Sequence, residues 1–229
     1  MYEMKTRIPY QDVDTEGILT DAGLLKQFQN CCTFHCEDIG YGLPWLREHD
    51  LGWFVISWQI HLTKRPNFGE EVYVATMPYA LKGPIGNRNF LLLDKNKTVL
   101  AEANSIWLLM DLKEQKPHRI PEDMKEAFKE DEPLPVDWPA RKISIPKQRD
   151  TCFSFSVSPM HVDTNGHMNN AYYMDAASSA MPADFYAKEL YVEYKMQARL
   201  GDEVVVTRAG NQIVLENKEH EPYATVVFK

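Results

Sequence analysis

Two stretches of this chain spell nearly the same word. Residues 13–17 read Val-Asp-Thr-Glu-Gly and residues 162–166 read Val-Asp-Thr-Asn-Gly. Asp14 and Asp163 stand 149 residues apart, and Ala22 and Ala171 keep that spacing. A second match follows in the same order. Gly69-Glu70-Glu71-Val72-Tyr73-Val74 answers Gly201-Asp202-Glu203-Val204-Val205-Val206 at a spacing of 132, so the second copy is 17 residues shorter between the two landmarks. Self-similarity in fixed order marks a duplicated structural unit. A chain of 229 residues built this way folds as two like domains rather than one large one.

Each copy carries the same plan. In the second, Phe153, Phe155 and Val157 alternate with Ser154, Ser156 and Ser158, the period-2 pattern of a strand with one buried face. The Asp-Thr-x-Gly turn comes next, and then a helix. In the first copy Leu24, Leu25, Phe28, Cys31, Cys32 and His35 recur at helical spacing behind an N-cap at Thr20 or Asp21, and Gly40, Gly42 and Pro44 stop the run. In the second the helix is expected from about Asn170 to Met181. Stretches rich in β-branched and aromatic residues fill the rest: 53–65, 71–80, 87–94 and 98–110, then 188–198, 203–209, 211–216 and 223–228. One strand, one apolar helix and a meander imply an antiparallel sheet curled around a helix. The fold class is α+β, a tandem (double) hotdog, with residues 1–112 as the first domain and 149–229 as the second. Residues 113–148 hold six of the fourteen prolines and read as a linker with one short helix, Glu122–Phe128. Trp138 and Ile143 are expected to lie against the sheets.

Composition removes several functions. A net charge of −8 argues against nucleic acid as a main partner, because phosphate binding needs a dominant basic face. No window nears the roughly 18 apolar residues of a membrane span, and the first residues lack a secretory h-region, so a cytoplasmic protein is expected. Four cysteines without a CxxC pair need no disulfide framework, and Cys32, His35 and Cys36 lack a fourth ligand for zinc.

The copies differ at the turn. The first reads Asp14-Thr15-Glu16-Gly17-Ile18-Leu19-Thr20, the second Asp163-Thr164-Asn165-Gly166-His167-Met168-Asn169. Glu16 is replaced by Asn165 and Ile18 by His167. An acid, an amide and an imidazole thus gather at a helix start, where the backbone N–H groups of Gly166 and His167 could stabilise an oxyanion and an imidazole could activate water. The plainer role for Asp163 and Asn169 is to cap the helix. Met77, Met110, Trp53, Trp58, Phe54 and Phe90 could line an apolar tunnel or simply pack the core.

The string Asp163-x-Asn165-x-His167-x-Asn169-Asn170, followed by Tyr172-Tyr173 and later by Glu193-Tyr194-Lys195 leading into Ala198-Arg199-Leu200-Gly201-Asp202, resembles the acyl-ACP thioesterases of plants and bacteria. The resemblance covers the whole chain. It implies hydrolysis of medium- to long-chain fatty acyl-ACP thioesters to free fatty acid and holo-ACP, without metal or other cofactor. It also implies catalysis in the second hotdog and the acyl pocket in the first, with acyl carrier protein as partner and a monomer or homodimer as the active form. Asp163 and His167 would position and polarise water and substrate, and Asn165 would hold the imidazole or the thioester.

One position departs from the pattern. Gln197 stands where the family has a catalytic Glu, and Ala198 where plant members have Cys. An amide cannot take a proton at neutral pH. Glu193 falls on the same face of an uninterrupted strand, but about 13 Å away. Gln197 therefore opens a second reading, a non-catalytic acyl-ACP or acyl-CoA binding protein, and an acyl-CoA thioesterase is a third. Finally, Arg141, Lys142, Lys147 and Arg149 form an acid-free basic run, a candidate docking patch for an acidic carrier protein.

Overall fold

The computed structural model describes residues 1–229, which divide into two compact units. The first comprises residues 1–56 and 60–138, the second residues 57–59 and 139–229.

In the first unit, β1 (Tyr2–Arg7) precedes α1 (Asp21–Asp38) and the short α2 (Leu43–Glu48). Then come β2 (Leu51–Leu62), β3 (Glu71–Lys82), β4 (Ile85–Asp94), β5 (Val99–Asp111), the two-residue β6 (Lys116–Pro117) and α3 (Glu122–Phe128). The strands line up as β1-β3-β4-β5-β2, with β6 on β5. In the second unit, β7 (Asp150–Ser156), α4 (Asn170–Ser179), β8 (Glu189–Tyr194), β9 (Glu203–Ala209), β10 (Gln212–Glu216) and β11 (Pro222–Phe228) give the order β7-β9-β10-β11-β8. Strand for strand the two orders are the same, with a helix after the first strand in each. The duplicated words mark a duplicated topology, and each unit is a hotdog.

Helix α1 starts where its sequence says it should. The Thr20 hydroxyl accepts the Gly23 N–H at 3.0 Å, the usual N-cap bond. Leu24, Leu25, Phe28 and Cys31 are wholly buried, and Phe28 meets Phe90 of β4 with ring centroids 5.1 Å apart. At its far end His35 is buried, stacked on Tyr2, and accepts a 3.0 Å hydrogen bond from Arg88. In the second unit Ala171, Tyr173, Met174 and Ala177 of α4 are buried, as are Val204, Val206, Ile213, Leu215, Ala224 and Val226 of the sheet. Helix α4 ends at Ser179, two residues earlier than expected.

The proline-rich segment divides between the units. Helix α3 has the expected bounds, and its Met124 and Phe128 join Leu46, Leu51, Leu109 and Ile120 in a buried cluster of the first unit. From Pro139 onward the chain crosses the second unit as an extended strap. Ile143 N–H donates to Glu193 (3.0 Å), Gln212 donates to the Ser144 carbonyl (2.8 Å), and Arg149 reaches Thr207 and Glu216. Glu193 on β8 and Glu216 on β10 are both buried, so each fixes the strap from beneath.

Strand β8 is shorter than the expected 188–198. After Tyr194 the N–H groups of Lys195 and Met196 both turn to the carbonyl of Tyr223, at 2.8 and 3.3 Å. Two donors on one acceptor mark a bulge, and the chain leaves the sheet there. Counting faces from Glu193 to Gln197 therefore does not hold. Glu193 is also occupied, by Ile143, Arg141 (3.6 Å) and Lys195 (3.8 Å).

Candidate active site

The Asp-Thr-x-Gly word is a tight turn built the same way twice. In the first unit Asp14 N–H donates to the Ile18 carbonyl, Gly17 N–H to the Asp14 carbonyl, and Glu16 N–H to Asp14 Oδ1. In the second, Asp163 N–H donates to His167 (2.8 Å), Gly166 N–H to Asp163 (3.1 Å), and Asn165 N–H to Asp163 Oδ1 (2.8 Å). Gly17 and Gly166 share φ +78°, left-handed backbone that favours glycine. The shared residues of the motif are thus explained by the turn, and function must reside in what differs.

The Gln197–Arg199 segment that leaves β8 pairs with this turn. Met168 N–H donates to the Ala198 carbonyl at 2.8 Å, and His167 and Arg199 form an isolated antiparallel bridge. Val162 and Met168 form another. A three-rung ladder results, with 163 opposite 167, 167 opposite 199, and 169 opposite 197. Side chains alternate along such a ladder and opposed residues share a face. Met168 and Ala198 point inward and are buried, at 3% and 0% exposure. Asp163, His167, Asn169, Gln197 and Arg199 share the outward face, with Asn165 at the tip of the turn. Asp163 and Gln197, 34 positions apart in sequence, thus lie on one face with the His167 strand between them.

The electrostatics follow from that placement. His167 is half-buried, and its imidazole is held below the usual histidine range, first by loss of hydration and then by the nearby positive charge of Arg199. The Asp163 carboxylate pulls the other way. A neutral imidazole at neutral pH can accept a proton. Arg199 is exposed and forms no ion pair. Nothing in the sequence assigns Arg199 a role, because its alignment opposite His167 depends on the bulge.

Some expectations need correction. Asp163 does not cap α4; it closes the turn with Oδ1, and the cap is Asn169, whose side chain accepts the Ala171 N–H at 3.0 Å. Gly166 N–H is not available to an oxyanion, because it closes the turn. The Tyr172 N–H is likewise taken, by the Asn169 carbonyl. Arg149 is not a free docking cation. Its guanidinium donates to Pro146 O, Thr207 Oγ1 and the buried Glu216 carboxylate, at 2.9, 3.1 and 2.5 Å. Of the basic run, Lys142 and Lys147 are exposed without ion pairs, and Arg141 is partly engaged with Glu193.

The first unit shows what an unused face looks like. Ile18 bridges Asn67, matching His167 and Arg199, and Arg65 stands at the position of Gln197. Arg65 donates to the Leu19 carbonyl (3.0 Å) and to Asp21 (2.5 Å), with both side chains about nine-tenths buried. Asp12 is also buried and takes a 2.8 Å hydrogen bond from Gln27. On that face Ile18 is apolar, Arg65 is spent on its ion pair, and the side chains of Asp14, Thr20 and Asn67 are engaged with Glu16, Gly23 and Glu70.

A tandem hotdog with one closed and one open polar face is the class these features define. Within it, the N-terminal domain model of the acyl-ACP thioesterases matches residues 1–128 and the C-terminal domain model matches residues 145–225, and the chain belongs to that family. A chloroplastic acyl-carrier-protein hydrolase of Cuphea viscosissima is 24% identical over 193 residues, covering 77% of this chain and 47% of that protein. A chloroplastic palmitoyl-acyl carrier protein thioesterase of Cuphea hookeriana is 25% identical over 171 residues, covering 69% and 41%. The chain thus spans about half the length of the curated relatives it matches. An acyl-ACP thioesterase structure from Bacteroides thetaiotaomicron superposes with a TM-score of 0.86 at 23% identity, covering 99% of this chain and 97% of that one. The 12:0-ACP thioesterase of Umbellularia californica gives 0.81 at 17%, covering 100% and 96%. No helix is long and apolar enough to cross a membrane.

Proposed function

We propose that this chain hydrolyses medium- to long-chain fatty acyl-ACP thioesters, releasing free fatty acid and holo-ACP, and that the reaction occurs on the outward face of the second unit's ladder. The observation that carries the reading is the contrast between the repeats: the same ladder presents His167, Gln197 and Arg199 in one unit, and Ile18 with an ion-paired Arg65 in the other. In this reading His167 takes a proton from water as its oxygen attacks the thioester carbonyl, and returns it to the departing thiolate. Asp163 commits one oxygen to the turn, so its contribution is a fixed negative charge that steadies the imidazolium. Asn165 holds the thioester or the imidazole by hydrogen bonding. Gln197, unable to take a proton, orients water or substrate through its amide. No metal or other cofactor enters these steps.

The carrier protein is proposed to dock beside the strap, where Lys142 and Lys147, with Arg141, offer positive charge. Reversing Lys142 and Lys147 together should raise KM for acyl-ACP, more at low salt than at high; a KM independent of both changes would remove that patch. The deciding experiment is incubation of the purified chain with a panel of acyl-ACPs and matched acyl-CoAs, following free fatty acid by mass spectrometry. Gln197 favours one rival, an acyl-thioester binding protein without turnover. Stoichiometric binding with no fatty acid released would support that rival and refute hydrolysis.

A further inference from the structure

The buried side of the ladder holds one polar contact that the chemistry above does not use. Tyr173, in the first turn of α4, is 2% exposed, and its hydroxyl oxygen accepts the Ala198 N–H at 2.8 Å. Ala198 is itself wholly buried, and its carbonyl accepts the Met168 N–H. The residue between Gln197 and Arg199 is therefore held at both backbone ends, by the helix behind it and by the turn beside it.

The first repeat solves the same problem differently. Pro66 stands at the position of Ala198 and has no N–H to satisfy; the matching helix residue is Leu24, wholly buried and apolar. The Pro66 carbonyl still accepts Leu19 N–H, at 3.0 Å. There the segment is fastened from the front, by Arg65 to Asp21 and the Leu19 carbonyl. The second repeat has Gln197 and Asn170 at the corresponding positions, so that front clamp is gone. Pro66 with Leu24 has become Ala198 with Tyr173. Moving the fastening to the buried side leaves the outward side chains of 197 and 199 unspent.

We propose that Tyr173 is a positioning residue of this site: its buried hydroxyl holds the Ala198 amide and so sets Gln197 and Arg199 against His167. The proposal rests on the reading of that face as catalytic. Phenylalanine at 173 would leave a buried N–H without an acceptor, and the segment would shift to find one. Because misplacement of about 1 Å at a reacting centre can cost on the order of a hundredfold, the effect should appear in kcat. Substrate contacts elsewhere are untouched, so KM should stay within about twofold.

The test uses the full chain with Tyr173→Phe and with Tyr173→Phe/Ala198→Pro, which rebuilds the first repeat's arrangement. Tyr173→Phe should lower kcat on the best acyl-ACP between about tenfold and a hundredfold. The Ala198 amide should exchange with solvent at least about tenfold faster, and the His167 ring resonances should move. Adding Ala198→Pro removes the orphaned donor and should restore the melting temperature without restoring kcat. Recovery of both by the double variant would make the tyrosine a purely structural group, and unchanged kcat in Tyr173→Phe would overturn the proposal directly. Rapid exchange of the Ala198 amide in the unaltered protein would overturn it without any variant. If the unaltered protein releases no fatty acid, the proposed hydrolysis fails on its own. The exchange rate and the His167 resonances still decide whether the tether exists.

Discussion

Replacing Arg149 with methionine separates a structural cation from a docking one. The substitution keeps a long apolar stem and removes three hydrogen bonds: to Pro146 O, Thr207 Oγ1 and Glu216 Oε2. Glu216, with a side chain only 1% exposed, then keeps Thr207 at 3.4 Å and the largely exposed His220 at 3.1 Å, but no permanent cation. Breaking a buried pair from one side costs about 3–5 kcal/mol, because the remaining charge stays buried. At roughly 2–4 °C per kcal/mol for a chain of this size, the protein should melt roughly 6–20 °C lower. Arg149→Met/Glu216→Leu removes both charges and should return most of that loss, since an apolar pair of similar volume is often as stable. Lys142→Glu and Lys147→Glu, on exposed residues, should each change stability by less than about 0.5 kcal/mol. Differential scanning calorimetry of the four variants is the assay. A loss below about 1 kcal/mol for Arg149→Met, or a double variant worse than the single, would refute the buried-pair argument.

Three further outcomes are expected. His167→Ala should lower kcat by about a hundredfold or more, whereas Ile18→Val at the matching position should leave kinetics nearly unchanged; equal losses would reduce the turn to a structural role. Gln197→Glu should give flat or reduced kcat, because a new carboxylate would share the face with Asp163 and pair with Arg199; a rise above about tenfold over pH 5–9 would make a carboxylate at 197 the missing base. Burial, helped by Arg88 and the chain's N-terminus, depresses His35 from 6.5 to about 4. The unfolded chain therefore takes up a proton below pH 6.5 that the folded chain refuses until about pH 4, and stability should fall across that window. His35→Gln should flatten urea-midpoint profiles there, and an unaltered slope would assign the acid sensitivity elsewhere.

Much of this was legible in the chain. The repeat is written in near-identical words because the turn needs the same aspartate and left-handed glycine each time, and α3 has its expected bounds because an amphipathic run between prolines leaves little choice. What could not be read depended on distant partners. The early end of β8 is set by the carbonyl of Tyr223, nothing local at Lys195 announces it, and with it goes the pairing of Arg199 with His167. Arg149 reads as a docking cation in sequence because its partner Glu216 lies 67 residues on. The Tyr173 contact does have a signal in the sequence: carrying the repeat alignment through the helix and past the strand sets Leu24 against Tyr173 and Pro66 against Ala198.

The strap across the second unit also fixes an order of assembly. Its anchors lie 50, 68 and 67 residues downstream, on Glu193, Gln212 and Glu216. Loops of that length close slowly, and none of these can close before β8, β9 and β10 exist. During synthesis, residues 139–149 emerge well ahead of every group that will hold them. Over that interval they are an open target for proteolysis. Afterwards hydrogen bonds at Ile143, Ser144 and Arg149 hold the same segment against the sheet, and slowing of cleavage between Pro139 and Arg149 would report how far the second unit had folded.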